Sequence, residues 1–92
     1  MEHRRDPTEQ RVAEKHRRIA ARIRREPGVI AESKIRLLRL MAREPPPPDP
    51  VLQEWLDLFL MATPDQIAGF IESGTPRARR LRTSSPLLWI DR

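Results

Sequence analysis

The groups best suited to chemistry crowd the end of the chain, in Arg77-Ala78-Arg79-Arg80-Leu81-Arg82-Thr83-Ser84-Ser85-Pro86-Leu87-Leu88-Trp89. Arg77, Arg79, Arg80 and Arg82 each present a planar fork of donors that suits carboxylate and phosphate alike. Ser84 and Ser85 carry hydroxyls, yet no histidine or lysine stands beside them in sequence to activate a nucleophile. His3 and His16 have no second ligand at metal-site spacing. Glu54, Asp57, Asp65 and Glu72 fall on helix surfaces with no base next to them in sequence. Cysteine is absent, which excludes disulfides, thiolate zinc sites and cysteine nucleophiles. The three glycines are scattered, so there is no phosphate-cradling loop. No set of residues meets the requirements of an enzyme, and no cofactor is expected. The chemistry on offer is recognition.

The same segment supplies a recognition element. Its arginines can make charge-assisted hydrogen bonds, and Leu87, Leu88 and Trp89 can bury area. The candidate partner-binding residues are Arg77, Arg79, Arg80, Leu81, Arg82, Ser84, Ser85, Pro86, Leu87, Leu88 and Trp89. Ser-Ser-Pro ends the preceding helix, so residues 83–92 are expected as an extended apolar tail. Small soluble domains rarely leave four consecutive large apolar residues exposed. Two alternatives stand: the tail folds back on its own core, or another protein receives it. If the receiving cleft is an active site, occupancy alone inhibits it.

The elements that position this segment read as an all-α bundle of four to five short helices joined by proline-capped turns. Residues 1–5 look frayed, and one helical domain spans 6–82. Asp6-Pro7-Thr8-Glu9 is a helix start, running to about Glu26. Its apolar seam is narrow: Val12, His16, Ile19 and Ile23, at i, i+4, i+7 and i+11. Such a seam suits docking on another helix, in this chain or in a second copy, so a homodimer through Val12–Ile23 is one expectation. His16, on this seam, reads as a partly packed side chain. Pro27-Gly28 breaks the chain before a second helix at 29–43. Ile30, Leu37, Leu38 and Met41 form its main face, widened by Ile35 and Leu40. Glu32 and Arg36 pair at i, i+4.

Residues 45–50 are a proline-rich turn. Four consecutive prolines favour polyproline II, about 12 Å long at roughly 3.1 Å per residue. The third helix, Val51 to Ala62, carries the densest apolar surface. Val51, Trp55, Leu58, Phe59 and Ala62 make one face, and Leu52, Leu56 and Leu60 a second. It reads as the central helix, with the rest of the chain wrapped on it. Thr63-Pro64-Asp65-Gln66 spells a capping box for a fourth helix with Ile67, Ala68, Phe70 and Ile71 inward. Gly74 is its expected terminator. Thr75-Pro76 restarts the chain as the arginine-rich helix ending at Arg82.

The net charge of +5 is unevenly spread: +6 over residues 1–44, −5 over 45–73 and +4 over 74–92. Basic flanks can fold onto the acidic centre or reach acidic partners. Arg11, Arg18, Arg22 and Arg25 on the first helix form a candidate nucleic-acid-binding face, although no recognisable DNA-binding motif accompanies them. No segment reads as a signal peptide or as a membrane span, which needs roughly 20 apolar residues. A cytoplasmic protein is expected.

Residues 26–88 also resemble a family of small bacterial antitoxins found beside nucleotidyltransferase-type toxins. The resemblance rests on Leu52-x-Glu54-Trp55, Thr63-Pro64 and Arg79-Arg80-Leu81-Arg82-Thr83-Ser84-Ser85-Pro86-Leu87. The family's late motif reads Leu-Arg-Gln-Ser-Ser-Pro-Phe. Leu81, Arg82, Ser84, Ser85 and Pro86 match it, with Thr83 in place of the glutamine and Leu87 in place of the phenylalanine. The family usually continues beyond this motif, whereas the present sequence stops within a few residues. The resemblance implies a non-enzymatic protein that binds and silences a toxin acting on tRNA, with promoter DNA as a possible second partner.

Overall fold

The computed structural model describes residues 7–91. The frayed end expected at 1–5, the Asp6 cap, His3 and Arg92 lie outside the described residues. Among the described residues there are five α-helices and no strand, as the all-α reading requires: α1 (Pro7–Arg25), α2 (Val29–Arg43), α3 (Pro50–Met61), α4 (Pro64–Ile71) and α5 (Pro76–Arg82). A 3-10 turn at Leu88–Ile90 follows them.

The proline-preceding residues start three of the helices. Asp49 Oδ1 accepts the Val51 N–H at 2.8 Å. Thr63 Oγ1 accepts the Gln66 N–H at 3.1 Å while Gln66 Oε1 accepts the Thr63 N–H at 2.9 Å, completing the capping box. Thr75 Oγ1 accepts the Ala78 N–H at 3.2 Å. Proline at the first helical position forfeits nothing, because its missing donor has no partner there. The Pro46–Pro47 peptide bond, in the turn between α2 and α3, is cis.

The end of α4 departs from expectation. It stops at Ile71, short of Gly74, and no glycine has a positive φ. Side chains close the helix instead. Ser73 Oγ donates to the Phe70 carbonyl at 2.8 Å. Arg82 Nη1 donates to the carbonyls of Ile71 and Ser73 at 2.9 and 2.7 Å. The last carbonyls of a helix need outside donors, and a guanidinium supplies them as well as a left-handed glycine does.

The organising helix is α1 rather than α3. It packs against α4, α5 and the terminal 3-10 turn. His16, Ile19, Ala20 and Ile23 on its seam are wholly buried. A narrow seam is easily sealed by short elements laid along it, whereas α3 has more apolar circumference than a chain this small can cover. On α3, Leu52, Trp55 and Phe59 are buried, with the two rings 6.1 Å apart and tilted. The Trp55 indole N–H reaches the Leu81 carbonyl at 3.1 Å. Leu56 is only half-buried, and Leu60 and Met61 are 60% and 85% exposed. The expected packing of α2 on α3 is present. Its inward residues are Val29, Ile30, Ser33 and Leu37 with Met41 partly covered, while Ile35, Leu38 and Leu40 stay exposed.

Candidate functional site

The carboxy-terminal segment is folded back, not extended. Leu87 and Ile90 lie in the core, and the backbone between them tightens into the 3-10 turn. Four polar ties hold it down. His16 Nδ1 lies 2.7 Å from the Val12 carbonyl, which can only accept, so Nδ1 carries the proton. His16 Nε2 therefore accepts the Ser85 hydroxyl proton at 2.8 Å, and Ser85 Oγ in turn accepts the Leu87 N–H at 3.1 Å. Arg18 grips Asp91 with both prongs of its fork, each at 3.0 Å. Arg22 donates to the Ile90 carbonyl at 3.0 Å. The Trp89 indole N–H donates to Ser33 Oγ at 3.0 Å, and the Arg36 guanidinium lies 4.1 Å over its ring.

The serine–histidine pair was invisible in the sequence because 69 residues separate its members. Its distance suits nucleophile activation, but its surroundings do not. His16 is wholly buried, a carbonyl rather than a carboxylate holds its other nitrogen, and burial pushes its pKa down. The Ser85 hydroxyl is engaged on both sides. The pair acts as a latch between α1 and the chain's end.

The residues assigned to partner contact are therefore split. Leu81, Arg82 and Leu87 are buried inside the chain itself. Arg77 and Arg80 converge on Glu54, at 3.3 and 2.9 Å, and Arg80 foremost holds that carboxyl below its ordinary range. Arg79 pairs with Glu9 at 2.9 Å. Ser84 and Leu88 remain exposed, and Pro86 and Trp89 are half-buried. This correction has a simple cause: an apolar run beside its own core finds that core before it finds a partner.

Two expectations for α1 are corrected on the same ground. Of the proposed nucleic-acid face, Arg18 and Arg22 are committed to the terminal segment, which leaves Arg11 and Arg25 exposed and without a carboxylate among the described residues. From His16 to Ile23 the seam is covered from within, with Val12 half-buried, so these side chains are not left open to a second copy. The acidic centre does receive the basic flanks: Arg24 reaches Glu72 at 2.6 Å and Asp65 at 3.7 Å, alongside the pairs to Glu54.

What remains uncovered lies on α2 and at the end of α3. Ala31, Ile35, Leu38 and Ala42, at i, i+4, i+7 and i+11, are all exposed and form one stripe. By helical spacing Lys34 borders it on one side, with Arg39 and Arg43 on the other. None of the three pairs with a carboxylate among the described residues, unlike Arg36, which pairs with Glu32 at 3.2 Å. Ile35 and Leu38, expected on the core face of α2, lie outside it. Periodicity alone could have separated Ile35, which sits about 140–160° from Ile30 and Leu37 around the helix, but not Leu38, which sits only about 80–100° from them.

Among the described residues no group of three or more histidine or acidic side chains could hold a metal, and no helix is long and apolar enough to cross a membrane. Compared with protein-family models, curated proteins and solved structures, the chain gives no match.

Proposed function

We propose that this chain is a non-catalytic inhibitor of the antitoxin kind, which neutralises a tRNA-modifying nucleotidyltransferase-type toxin by binding it. The family resemblance supplies the partner class. The single observation carrying the binding role is the uncovered stripe of α2, Ala31, Ile35, Leu38 and Ala42, continued in kind by Leu60 and Met61 on α3. A domain this small gains by covering such surface, and contiguous exposed apolar side chains mark interaction sites. Lys34, Arg39 and Arg43 beside the stripe favour an acidic rim on the partner. The mode of contact is docking of this outer face. Insertion of the terminal segment is disfavoured, because releasing it exposes Leu87 and Ile90 and breaks the His16–Ser85 and Arg18–Asp91 ties.

The test is binding of the purified chain to the protein encoded by the adjacent gene. Leu38→Glu and Met61→Glu, both at exposed positions, are expected to abolish capture and inhibition while leaving the helical content intact. Undiminished inhibition by the double variant rejects the outer face as the contact surface.

A second reading, nucleic-acid binding through α1, draws on Arg11, Lys15 and Arg25, which are exposed and make no ion pair among the described residues. A steep salt dependence of DNA binding, flattened by neutralising those three, is its signature.

A further inference from the structure

A cleft of about 240 Å³ opens between the first half of α1, the α4–α5 turn and α5. Glu9, Arg17, Ser73, Gly74, Arg79 and Arg82 line it. A second recess of about 230 Å³, over Val12 and Thr83, shares Glu9, Arg79 and Arg82 with it. Three guanidinium groups from two helices thus meet at one hollow.

Their charge is poorly compensated. Among the described residues only Arg79 has a carboxylate partner, Glu9. Arg82 is 6% exposed, and Nη1 is held by two carbonyls. Its Nε and Nη2 donate to no acceptor among the described residues. Arg17 has no carboxylate partner among the described residues. Glu72 lines the cleft too, but Arg24 holds it at 2.6 Å. A guanidinium kept from water beside like charges is costly until an anion joins it. In keeping with this, the Arg82 pKa is pushed down first by burial, then by Arg79 and Arg17, with Glu9 opposing them.

We infer that this cleft binds an oxyanion of the phosphate class, with Arg82 at its base and Arg17 and Arg79 at its walls. Three forks drawn from two helices offer more donors than the two oxygens of one carboxylate accept. A phosphoryl group presents its oxygens tetrahedrally and meets them all. Glu9 must yield Arg79 on binding, which favours a strongly charged anion. A free or terminal phosphate and a nucleic-acid backbone present the same chemistry, and the experiment separates them. The inference is independent of the proposed inhibitory role, since the cleft involves neither α2 nor α3.

The full chain is titrated at constant ionic strength, in one arm with inorganic phosphate against chloride, in the other with a short single-stranded RNA lacking terminal phosphates. Saturable binding is expected in at least one arm, weakened at least about tenfold by Arg17→Ala, as befits loss of a charged hydrogen-bond donor. The unfolding temperature in chloride stays unchanged in that variant, because Arg17 is exposed. Arg79→Gln weakens binding from the other wall, and Arg39→Ala on α2 leaves it intact. Saturation by phosphate alone assigns a free or terminal phosphoryl group; saturation by the RNA assigns the backbone. Absence of saturation in both arms, or an Arg17→Ala titration matching the parent, overturns the inference.

Discussion

His16 Nε2 and Ser85 Oγ lie 2.8 Å apart across 69 residues, tying the middle of α1 to the turn that precedes the last helical turn of the chain. Through this contact a motif with the look of a reactive tip becomes an internal fastening. The Ser-Ser-Pro turn aims Leu87 into the core, and Arg82, just ahead of it, closes α4. In the proposed function, recognition falls to surfaces the latch does not use.

The latch has a measurable energy. Ser85→Ala strands a buried imidazole nitrogen and is expected to cost about 1–3 kcal/mol. Urea unfolding followed by circular dichroism reads this as a lower midpoint at unchanged slope. An unshifted midpoint removes the hydrogen bond from the account.

Acid weakens the same contact. In the unfolded chain His16 titrates near 6.5, and in the fold burial holds its pKa lower. Between those values the unfolded state carries the extra proton. Stability is therefore complete above pH 6.5 and declines as the pH falls below it. Glu54 and Asp91, lowered from 4.5 and 3.8 by their arginines, lose their contributions only in stronger acid. His16→Gln, which cannot titrate, should flatten the melting temperature in the upper window and leave the lower one. A parent protein with a flat profile just below pH 6.5 contradicts this assignment.

Arg82 and Arg79 are separated by their surroundings. Arg82→Ala removes the donors that end α4 and should cost about 1.5–3 kcal/mol. Arg79→Ala breaks an exposed ion pair and should cost within about 0.5 kcal/mol. Equal losses in the two variants argue against a side-chain cap on α4.

Leu87 fills the core where the chain returns to it. Leu87→Ala is expected to destabilise by about 2–5 kcal/mol. Deletion from Ser84 onward should cost the chain its cooperative melt as well. Loss of partner binding in either variant would then report lost folding, so surface variants on α2 and α3 are the informative ones. A truncated chain that melts as cooperatively as the parent shows the latch to be dispensable.

Much of this was legible from residue types. The Asp-Pro and Thr-Pro pairs marked the starts of α3, α4 and α5, because capping is a local property of a few side chains. The seam of α1 was legible as well, from spacing alone. Its rank was not: apolar density pointed to α3 as the hub, yet burial depends on how many elements lie against a face, which is a matter of tertiary arrangement. The two fates of the terminal run, fold-back or capture, were both open in the sequence. They were decided by Arg18, Arg22, Ser33 and His16, which lie far from that run along the chain and beside it in space. The end of α4 was misjudged for a similar reason. Gly74 is a local signal, whereas the arginine that performs the task comes from the next helix.

The central claim is that the outer face of α2, with Leu60 and Met61, is completed by another protein. Its most direct measurement is the affinity of the intact chain for the product of the adjacent gene, compared with that of the Leu38→Glu, Met61→Glu double variant at matched melting temperature. The account predicts tight binding by the parent and a loss of at least about a hundredfold in the double variant, the range of interface anchor residues. Equal affinity of the two proteins, or no binding by the parent, contradicts it.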